Sequence, residues 1–274
     1  MLKDASGDSF SRSGFRYNRS GIEPQPGPTA ENPIGNPKWP GITSSGGMNW
    51  IMYMVSEFNY TLSLAYIFAR SGSVVDSEMI TPHPSDAPSF VDQIGHFKGS
   101  MGDSPDYAAW DGENAVAAIW FGVNDVRVTF TEPNIIDLLE KVVIRLFELT
   151  NDLYNLGFRK FIIIEVPPIN LVPRLQKHRL GDDYEKLLYS IERWNGFLRE
   201  NFVLFKESHK DCKSVLLEIS DIFWGAYLDP QSVGAPNSNC TDKKGVNCVW
   251  YDPLHPGKRI HELLAERAAE AAWS

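Results

Sequence analysis

The segment before the last predicted helix carries an acid and a histidine at a spacing suited to proton transfer. It reads WYDPLHPG over residues 250–257. A histidine that takes a proton from a hydroxyl needs a carboxylate to fix its tautomer and to stabilise the imidazolium. Asp252 lies three residues before His255 and can turn back to it within one loop. Taken alone, a cap or turn role for Asp252 and loop packing for His255 are the commoner outcomes.

A serine nucleophile could come from either of two Gly-Asp-Ser sequences, which end at Ser9 and Ser104. Gly, Asp and Ser are ordinary turn formers, so the tripeptide by itself predicts only a turn. Ser104 is followed by a proline in a loop after a predicted helix, whereas Ser9 lies near the chain start. A serine hydroxyl is a weak nucleophile until a positioned base removes its proton. Ser9 is therefore a candidate in combination with His255.

Two further turns could supply hydrogen-bond donors to an oxyanion. Gly72 lies in the turn 69–73, where a glycine can present its backbone N–H without side-chain obstruction. Asn124 lies in the turn 122–125 and offers a side-chain amide. A left-handed turn and an Asx turn are the structural alternatives. In a catalytic role, the Gly72 N–H and the Asn124 amide would donate hydrogen bonds to the oxyanion of a tetrahedral intermediate.

The elements that must position these residues alternate between strand and helix. Residues 12–47 are rich in Pro, Gly, Ser and Asn, which predicts an irregular surface loop. Hydrophobic runs and periodicity then predict strands at 62–68, 115–121, 160–166 and 215–219, and helices at 48–58, 90–101, 135–156, 182–206 and 257–273. This alternation predicts a parallel sheet covered by helices on both faces, with sites at the carboxyl ends of the strands. With neither a linker nor a repeat visible, we predict one domain over 1–274.

Composition bounds the partners of the chain. It has 274 residues, 43% of them hydrophobic, and 26 basic against 35 acidic residues give a net charge of −9. Nucleic acids and anionic membranes require a basic face, so neither is an expected partner. The longest apolar runs are well below the ~20 residues of a membrane span.

Cysteine and asparagine patterns bear on the compartment. Cys240 and Cys248 lie in one loop rich in Gly, Asn and Asp, where a bridge would close a short ring, and Cys212 is left over. Glycosylation sequons occur at Asn18, Asn59 and Asn239. Together these features predict a secreted protein. Residues 1–4 contain no apolar leader, which leaves an intracellular protein or an incomplete start as the two alternatives.

In this order the four segments resemble the GDSL, or SGNH, hydrolases, which are named for Ser, Gly, Asn and His in four blocks. The matching segments run from Ser9 to His255 and are GDS at 7–9, FARSGSVVD at 68–76, FGVND at 121–125 and DPLHP at 252–256. Within that superfamily the chain looks most like the fungal secreted acetylesterases of carbohydrate esterase family 16.

This resemblance implies a three-layer α/β/α sandwich with a central parallel five-stranded sheet, the flavodoxin-like fold of SGNH hydrolases. It implies Ser9 as nucleophile, His255 as general base and then acid, and Asp252 as the group that orients His255. The backbone N–H groups of Ser9 and Gly72 and the amide of Asn124 would form the oxyanion hole. No cofactor is implied, and we expect a monomeric serine esterase that removes short acyl groups, chiefly acetyl, from carbohydrate or small-molecule esters.

Two positions depart from the family pattern. Residues 1–6 are short and polar where the family has a hydrophobic strand. We therefore expect a shortened first strand and weaker support for Ser9. Arg70 places a charge beside the oxyanion turn, where we expect it to face solvent or to contact substrate.

Other residues bear on the alternative functions. The six histidines show no His-Glu-x-x-His spacing, which argues against a metal enzyme, and no turn matches a phosphate-binding loop. His261, in the last helix, is expected on the surface. A lipase or phospholipase of the same superfamily is the first alternative, because Trp39, Trp50 and Trp110 could line a lipid cleft or a sugar platform, although core packing is the commoner fate of a tryptophan. A catalytically impaired carbohydrate-binding homologue is the second.

Overall fold

A four-stranded parallel sheet forms the centre of the fold. The computed structural model describes residues 2–17, 26–176 and 181–273. The strands are β1 (Leu2–Gly7), β2 (Val116–Trp120), β3 (Lys160–Ile164) and β4 (Lys213–Leu217), in the spatial order β1-β2-β3-β4. Every position of β2 is buried. A parallel strand of this kind must be covered on both faces, which confirms the predicted α/β architecture.

The predicted strand at 62–68 is replaced by an edge segment that pairs with β1 at one residue, Ile67 opposite Ala5. The backbone N–H groups of Phe68 and Ala69 both donate to the Ala5 carbonyl, at 3.0 and 3.2 Å. Two successive donors to one acceptor kink the chain and interrupt the ladder. The described residues therefore form four strands plus this segment, not five strands. Counted as the second position, the segment gives the flavodoxin-like order 2-1-3-4-5.

The first strand spans six residues, against five in each of the other three strands, and it pairs with β2 at both of its ends. Its register with β2 runs from Leu2 opposite Val116 to Gly7 opposite Trp120, with one irregularity near the start. It lies between β2 and the edge segment, an internal position in the sheet. The turn that carries Ser9 follows it directly.

Eight α-helices occur in the described residues. They are α1 (Trp50–Ser56), α2 (Phe90–Met101), α3 (Val123–Thr129), α4 (Ile135–Leu156), α5 (Pro173–Gln176), α6 (Asp182–Ser208), α7 (Ser220–Leu228) and α8 (Lys258–Trp273), with 3₁₀ turns at Asp106–Ala108, Ile169–Leu171 and Pro230–Val233. One group packs α8 against α1 and α7, and the other packs α4 against α2 and α6. Ser89 and Asp92 form a capping box that sets the start of α2.

Burial corrects one expectation and supports another. His261 is 1% exposed, so it belongs to the core and not to the surface. Trp50 and Trp110 are also buried, while Trp39 is half-buried against the core. Core packing therefore accounts for two of the three tryptophans. Across the described ranges, no helix combines the length and the apolar character needed to cross a membrane.

Candidate active site

Ser9 sits in the tight turn that follows β1. A Cβ on Gly7 would lie 2.8 Å from the Trp120 carbonyl oxygen, so this position of the strand accepts only glycine. The Asp8 carboxylate accepts the backbone N–H of Phe10 at 2.9 Å. The Asp8 carbonyl accepts the N–H groups of the two residues that follow Phe10. The turn is thus closed by backbone contacts, and Ser9 is only 6% exposed.

A buried glutamine from α2 holds the end of β1. Gln93 is fully buried; its Oε1 accepts the N–H of Gly7 and its Nε2 donates to the Gly7 carbonyl, both at 2.9 Å. The same Nε2 lies 3.1 Å from the Ser73 hydroxyl and 3.2 Å from the Pro88 carbonyl. Gln93 therefore joins the strand before Ser9 to the turn that contains Gly72.

The loop before α8 brings His255 to Ser9. The Nε2 of His255 lies 2.9 Å from the Ser9 Oγ. The Nδ1 of His255 lies 2.9 Å from both carboxylate oxygens of Asp252. One of those oxygens also accepts the backbone N–H groups of Leu254 and His255, at 2.8 and 2.9 Å. The three-residue spacing thus works as a local turn that aims the carboxylate at the imidazole.

The Asp252 carboxylate is strongly biased toward its charged form. Burial alone would raise its pKa, but the hydrogen bond and charge of His255, together with the two backbone N–H groups, lower the pKa to about 2. A charged carboxylate against Nδ1 favours the tautomer in which Nδ1 carries the proton and Nε2 faces Ser9.

Asn124 is delivered to the same place by α3. The helix starts after Gly122, which has φ of 111°, and a Cβ there would overlap the ring of Trp194. Asn124 is buried, and its Nδ2 donates to the Ser73 carbonyl at 3.0 Å and to the Asp8 carboxylate at 3.3 Å. The amide therefore touches the residue before Ser9 and the residue after Gly72.

Gly72 occupies a turn that only glycine fits. Its φ is 83°, and a Cβ at this position would overlap the His83 carbonyl. The next residue, Ser73, is tied to Gln93 and to Asn124. These two contacts join the turn of Gly72 to the turns of Ser9 and Asn124.

Two buried carboxylates flank this network. Burial raises the pKa of Asp8 to about 7, with a further increase from Asp125, against the lowering effects of the Phe10 N–H and of Arg127. Burial likewise raises the pKa of Asp125 to about 7, although the Val75 N–H opposes the shift.

Arg70 neither faces open solvent nor projects as a free charge. Its guanidinium donates to the Phe15 carbonyl at 2.6 Å and to the Ala69 carbonyl at 3.0 Å, and it lies 5.7 Å from the centre of the Tyr17 ring. Burial lowers its pKa. Arg70 is half-buried and links the loop after Ser9 to the edge segment, and its contact with substrate stays a prediction.

The second Gly-Asp-Ser sequence has a structural role, because Ser104 closes the loop that contains it. The Ser104 Oγ donates to the Trp110 carbonyl at 2.7 Å and accepts the Trp110 N–H at 2.8 Å. With a φ of 50°, Ser104 holds its own loop together.

The loop before Asp252 contains a disulfide between Cys240 and Cys248, with their Cα atoms 5.4 Å apart. Of the sequon asparagines, Asn239 is exposed and Asn59 is half-buried, with its Nδ2 donating to a backbone carbonyl two residues on. Asn18 lies outside the described residues.

Sequence reasoning missed two contributors to the site. Gln93 lies on the buried face of α2, where a long amide side chain among apolar residues is itself a signal. Arg127 lies one turn after Asn124 on α3, and its Nη2 donates to the Asn124 Oδ1 at 3.0 Å. The i, i+3 spacing on a short helix could have indicated that contact.

A parallel α/β sandwich with linked serine, histidine and aspartate side chains at the carboxyl edge of its sheet defines a hydrolase of the serine type. A family model described as GDSL-like Lipase/Acylhydrolase matches residues 5–268. The chain belongs to this family, and it is a carboxylic ester hydrolase.

Individual relatives agree with this assignment. The chain is 34% identical over 265 residues to an acetylesterase of Thermothelomyces thermophilus, covering 97% of this chain and 86% of the relative. It is 23% identical to an acetylesterase of Hypocrea jecorina, covering 82% and 76%. A variant of an acetylxylan esterase from Geobacillus stearothermophilus has the same fold, with a TM-score of 0.54 at 14% identity over 99% of this chain and 93% of that one.

Proposed function

We propose that this enzyme removes acetyl groups from esters of carbohydrates or small alcohols, with Ser9 as its nucleophile. One observation carries the proposal, the continuous chain of 2.9 Å contacts from Ser9 through His255 to Asp252. A serine gains nucleophilic reactivity from an adjacent base, and that base from a third group that orients it.

In this mechanism the Ser9 Oγ attacks the ester carbonyl while its proton passes to His255 Nε2. The imidazolium, stabilised by Asp252, then protonates the leaving alcohol, and an acyl-enzyme remains on Ser9. Water, deprotonated by the same Nε2, attacks the acyl carbon and releases the acid and the free serine. The low pKa of Asp252 supports this role, because the carboxylate stays charged throughout.

The developing oxyanion requires hydrogen-bond donors. The Ser9 and Gly72 backbone N–H groups and the Asn124 Nδ2 are assigned to it. The contact of Asn124 with both Asp8 and Ser73 supports this assignment, since it puts the amide between the two turns. Loss of one such donor costs about 10²–10³ in rate, roughly 2.7–4 kcal/mol.

The names of the two fungal relatives support acetyl as the acyl group. Secretion as a glycosylated monomer is part of the proposal, supported by the disulfide and by the exposed Asn239. Glycosidase treatment followed by a mass measurement on protein from the native host tests glycosylation at this asparagine.

The central experiment compares two serine variants on p-nitrophenyl acetate. Ser9→Ala abolishes hydrolysis, while Ser104→Ala, the matched control from the second Gly-Asp-Ser sequence, retains it. Loss of activity in Ser104→Ala with retention in Ser9→Ala overturns the assignment of the nucleophile.

Acyl-chain length separates the proposed function from its rivals. Turnover that is fastest for the acetyl ester and falls for octanoyl and palmitoyl esters supports the acetylesterase. The opposite order means a lipase or phospholipase, and binding of acetylated sugars without any turnover means an impaired homologue.

A further inference from the structure

Arg127, a half-buried cation, contacts the carbonyl side of the Asn124 amide, which is the side-chain donor proposed for the oxyanion. The Arg127 Nη2 donates to the Asn124 Oδ1 at 3.0 Å. On the other side, the Asn124 Nδ2 donates to the Ser73 carbonyl and, over 3.3 Å, to the Asp8 carboxylate. Within the described residues the Arg127 Nε is buried without a hydrogen-bond partner. This guanidinium is therefore held in a costly position that a surface role would not require.

The arrangement fixes which end of the amide faces the reacting carbonyl. A flipped Asn124 would turn its Oδ1 toward two acceptors, the Ser73 carbonyl and the Asp8 carboxylate, and would turn its Nδ2 toward the guanidinium. A charge-assisted bond to Oδ1 is stronger than a neutral one and adds to the preference for the observed orientation. It also withdraws electron density from the amide, which strengthens Nδ2 as a donor.

Asp8 supplies the reason that a cation is needed here. Its Oδ2 accepts a hydrogen bond from the Asn124 Nδ2 over 3.3 Å and so competes with an oxyanion for this donor. A carboxylate at this point attracts the amide away from the oxyanion and repels the negative charge that develops on it. Burial raises the pKa of Asp8 to about 7, so this carboxylate is partly ionised near neutral pH, and the positive charge of Arg127 offsets part of the repulsion from the ionised form.

We propose that Arg127 is a positioning residue of the ester hydrolysis, which holds the Asn124 amide with its Nδ2 toward the oxyanion and offsets the charge of Asp8. The inference rests on the proposed function of Asn124 as an oxyanion donor. Arg127 itself lies outside the four blocks that identify the family, two residues after Asp125, the last residue of the third block.

The test is a double-mutant cycle on p-nitrophenyl acetate with Arg127→Met, Asn124→Ala and the combined variant. Arg127→Met lowers kcat by at least tenfold and leaves KM within threefold, because the lost interaction acts on the transition state. When Arg127→Met is added to Asn124→Ala, kcat falls by less than a further threefold, because the amide that Arg127 positions is already absent. Lys186→Met, which removes an exposed cation of α6 that pairs with Asp183, is the control and keeps kcat within twofold.

The outcomes separate the two proposals. An Asn124→Ala variant with unchanged kcat refutes the oxyanion role itself. If Asn124→Ala lowers kcat strongly and the combined variant shows the product of the two single losses, the oxyanion role stands and only the role of Arg127 is refuted. A raised KM with unchanged kcat means that Arg127 binds substrate, and a lowered thermal midpoint with unchanged kcat means that it only stabilises the fold. Either result overturns the inference.

A second variant covers the case in which Arg127→Met does not fold. Arg127→Lys keeps the positive charge but loses the planar guanidinium whose Nη2 donates to the Asn124 Oδ1. It shows a smaller loss of kcat than Asn124→Ala, again without addition in the combined variant. A Lys variant with wild-type kcat and KM refutes the need for a directed bond to Oδ1.

Discussion

Gln93 should support both the stability of the sheet and the position of the nucleophile. Alternate residues of a strand direct their backbone groups to the same neighbour, so Ala5 and Gly7 both face the edge segment. That segment kinks at Phe68 and leaves the Gly7 N–H to the side chain of Gln93. The Gly7 carbonyl keeps a second donor, the Arg70 N–H at 3.1 Å.

Gln93→Leu removes these contacts with little change in size. An orphaned buried N–H costs about 1–3 kcal/mol, and the lost bonds to the Ser73 hydroxyl and Pro88 carbonyl cost about 1 kcal/mol together. The free energy of unfolding should therefore fall by about 2–4 kcal/mol. At roughly 2–4 °C per kcal/mol, the thermal midpoint falls by roughly 4–16 °C. We also expect kcat on p-nitrophenyl acetate to fall at least tenfold, because small displacements of reacting groups are costly.

Urea denaturation and a thermal melt measure the first effect, and steady-state kinetics measure the second. Gln231→Leu, at an exposed position of a 3₁₀ turn, is the control and should leave both quantities unchanged. Gln93→Glu keeps the acceptor for the Gly7 N–H but sets a buried carboxylate against the Gly7 and Pro88 carbonyls, so it should destabilise the fold at least as much as Gln93→Leu. A change in unfolding free energy below about 0.5 kcal/mol for Gln93→Leu, with kcat within twofold, refutes the reasoning.

Other predictions concern the loop of Asp252 and the start of α3. Replacing Cys240 and Cys248 by Ser lowers the free energy of unfolding by about 2.5 kcal/mol, since the bridge closes a loop at a sequence separation of 8; unchanged urea midpoints for oxidised and substituted protein contradict this. Asp252→Asn lowers kcat. It also removes the contribution of the ionised carboxylate to the free energy of unfolding, which is present above pH ~4 and is lost as the pH falls toward the folded pKa of about 2. Urea titrations of wild type and variant at pH 2.5 and 5 test this difference. Gly122→Ala lowers stability and kcat together, because the added Cβ overlaps Trp194 at a positive φ; a soluble variant with wild-type kcat contradicts it.

The parts of the fold that sequence predicted well carry their own boundary signals. Helix α2 begins directly after the Ser89 capping residue, and α4 ends just before Gly157, whose φ of 120° few other residues adopt. The contact between Asp252 and His255 is likewise local. Such features depend on neighbours a few residues apart, so a single sequence contains them.

The parts that were missed depend on distant partners. The segment at 62–68 has strand-like composition, but its pairing is interrupted where two N–H groups share the Ala5 carbonyl. Arg70 finds its acceptor at Phe15, 55 residues away. The burial of His261 was readable, since Leu264 and Ala268 share its helical face and are also buried. The first two outcomes required the tertiary structure.

The contact between Ser9 and His255 joins residues 246 positions apart. During synthesis the proposed nucleophile leaves the ribosome long before its proposed base has been translated. Any nascent or prematurely terminated chain that stops short of position 255 holds Ser9 without a proton acceptor, however well its first strands have folded. The proposed ester hydrolysis therefore requires translation to have passed His255, and its appearance would time the docking of the loop that carries this histidine.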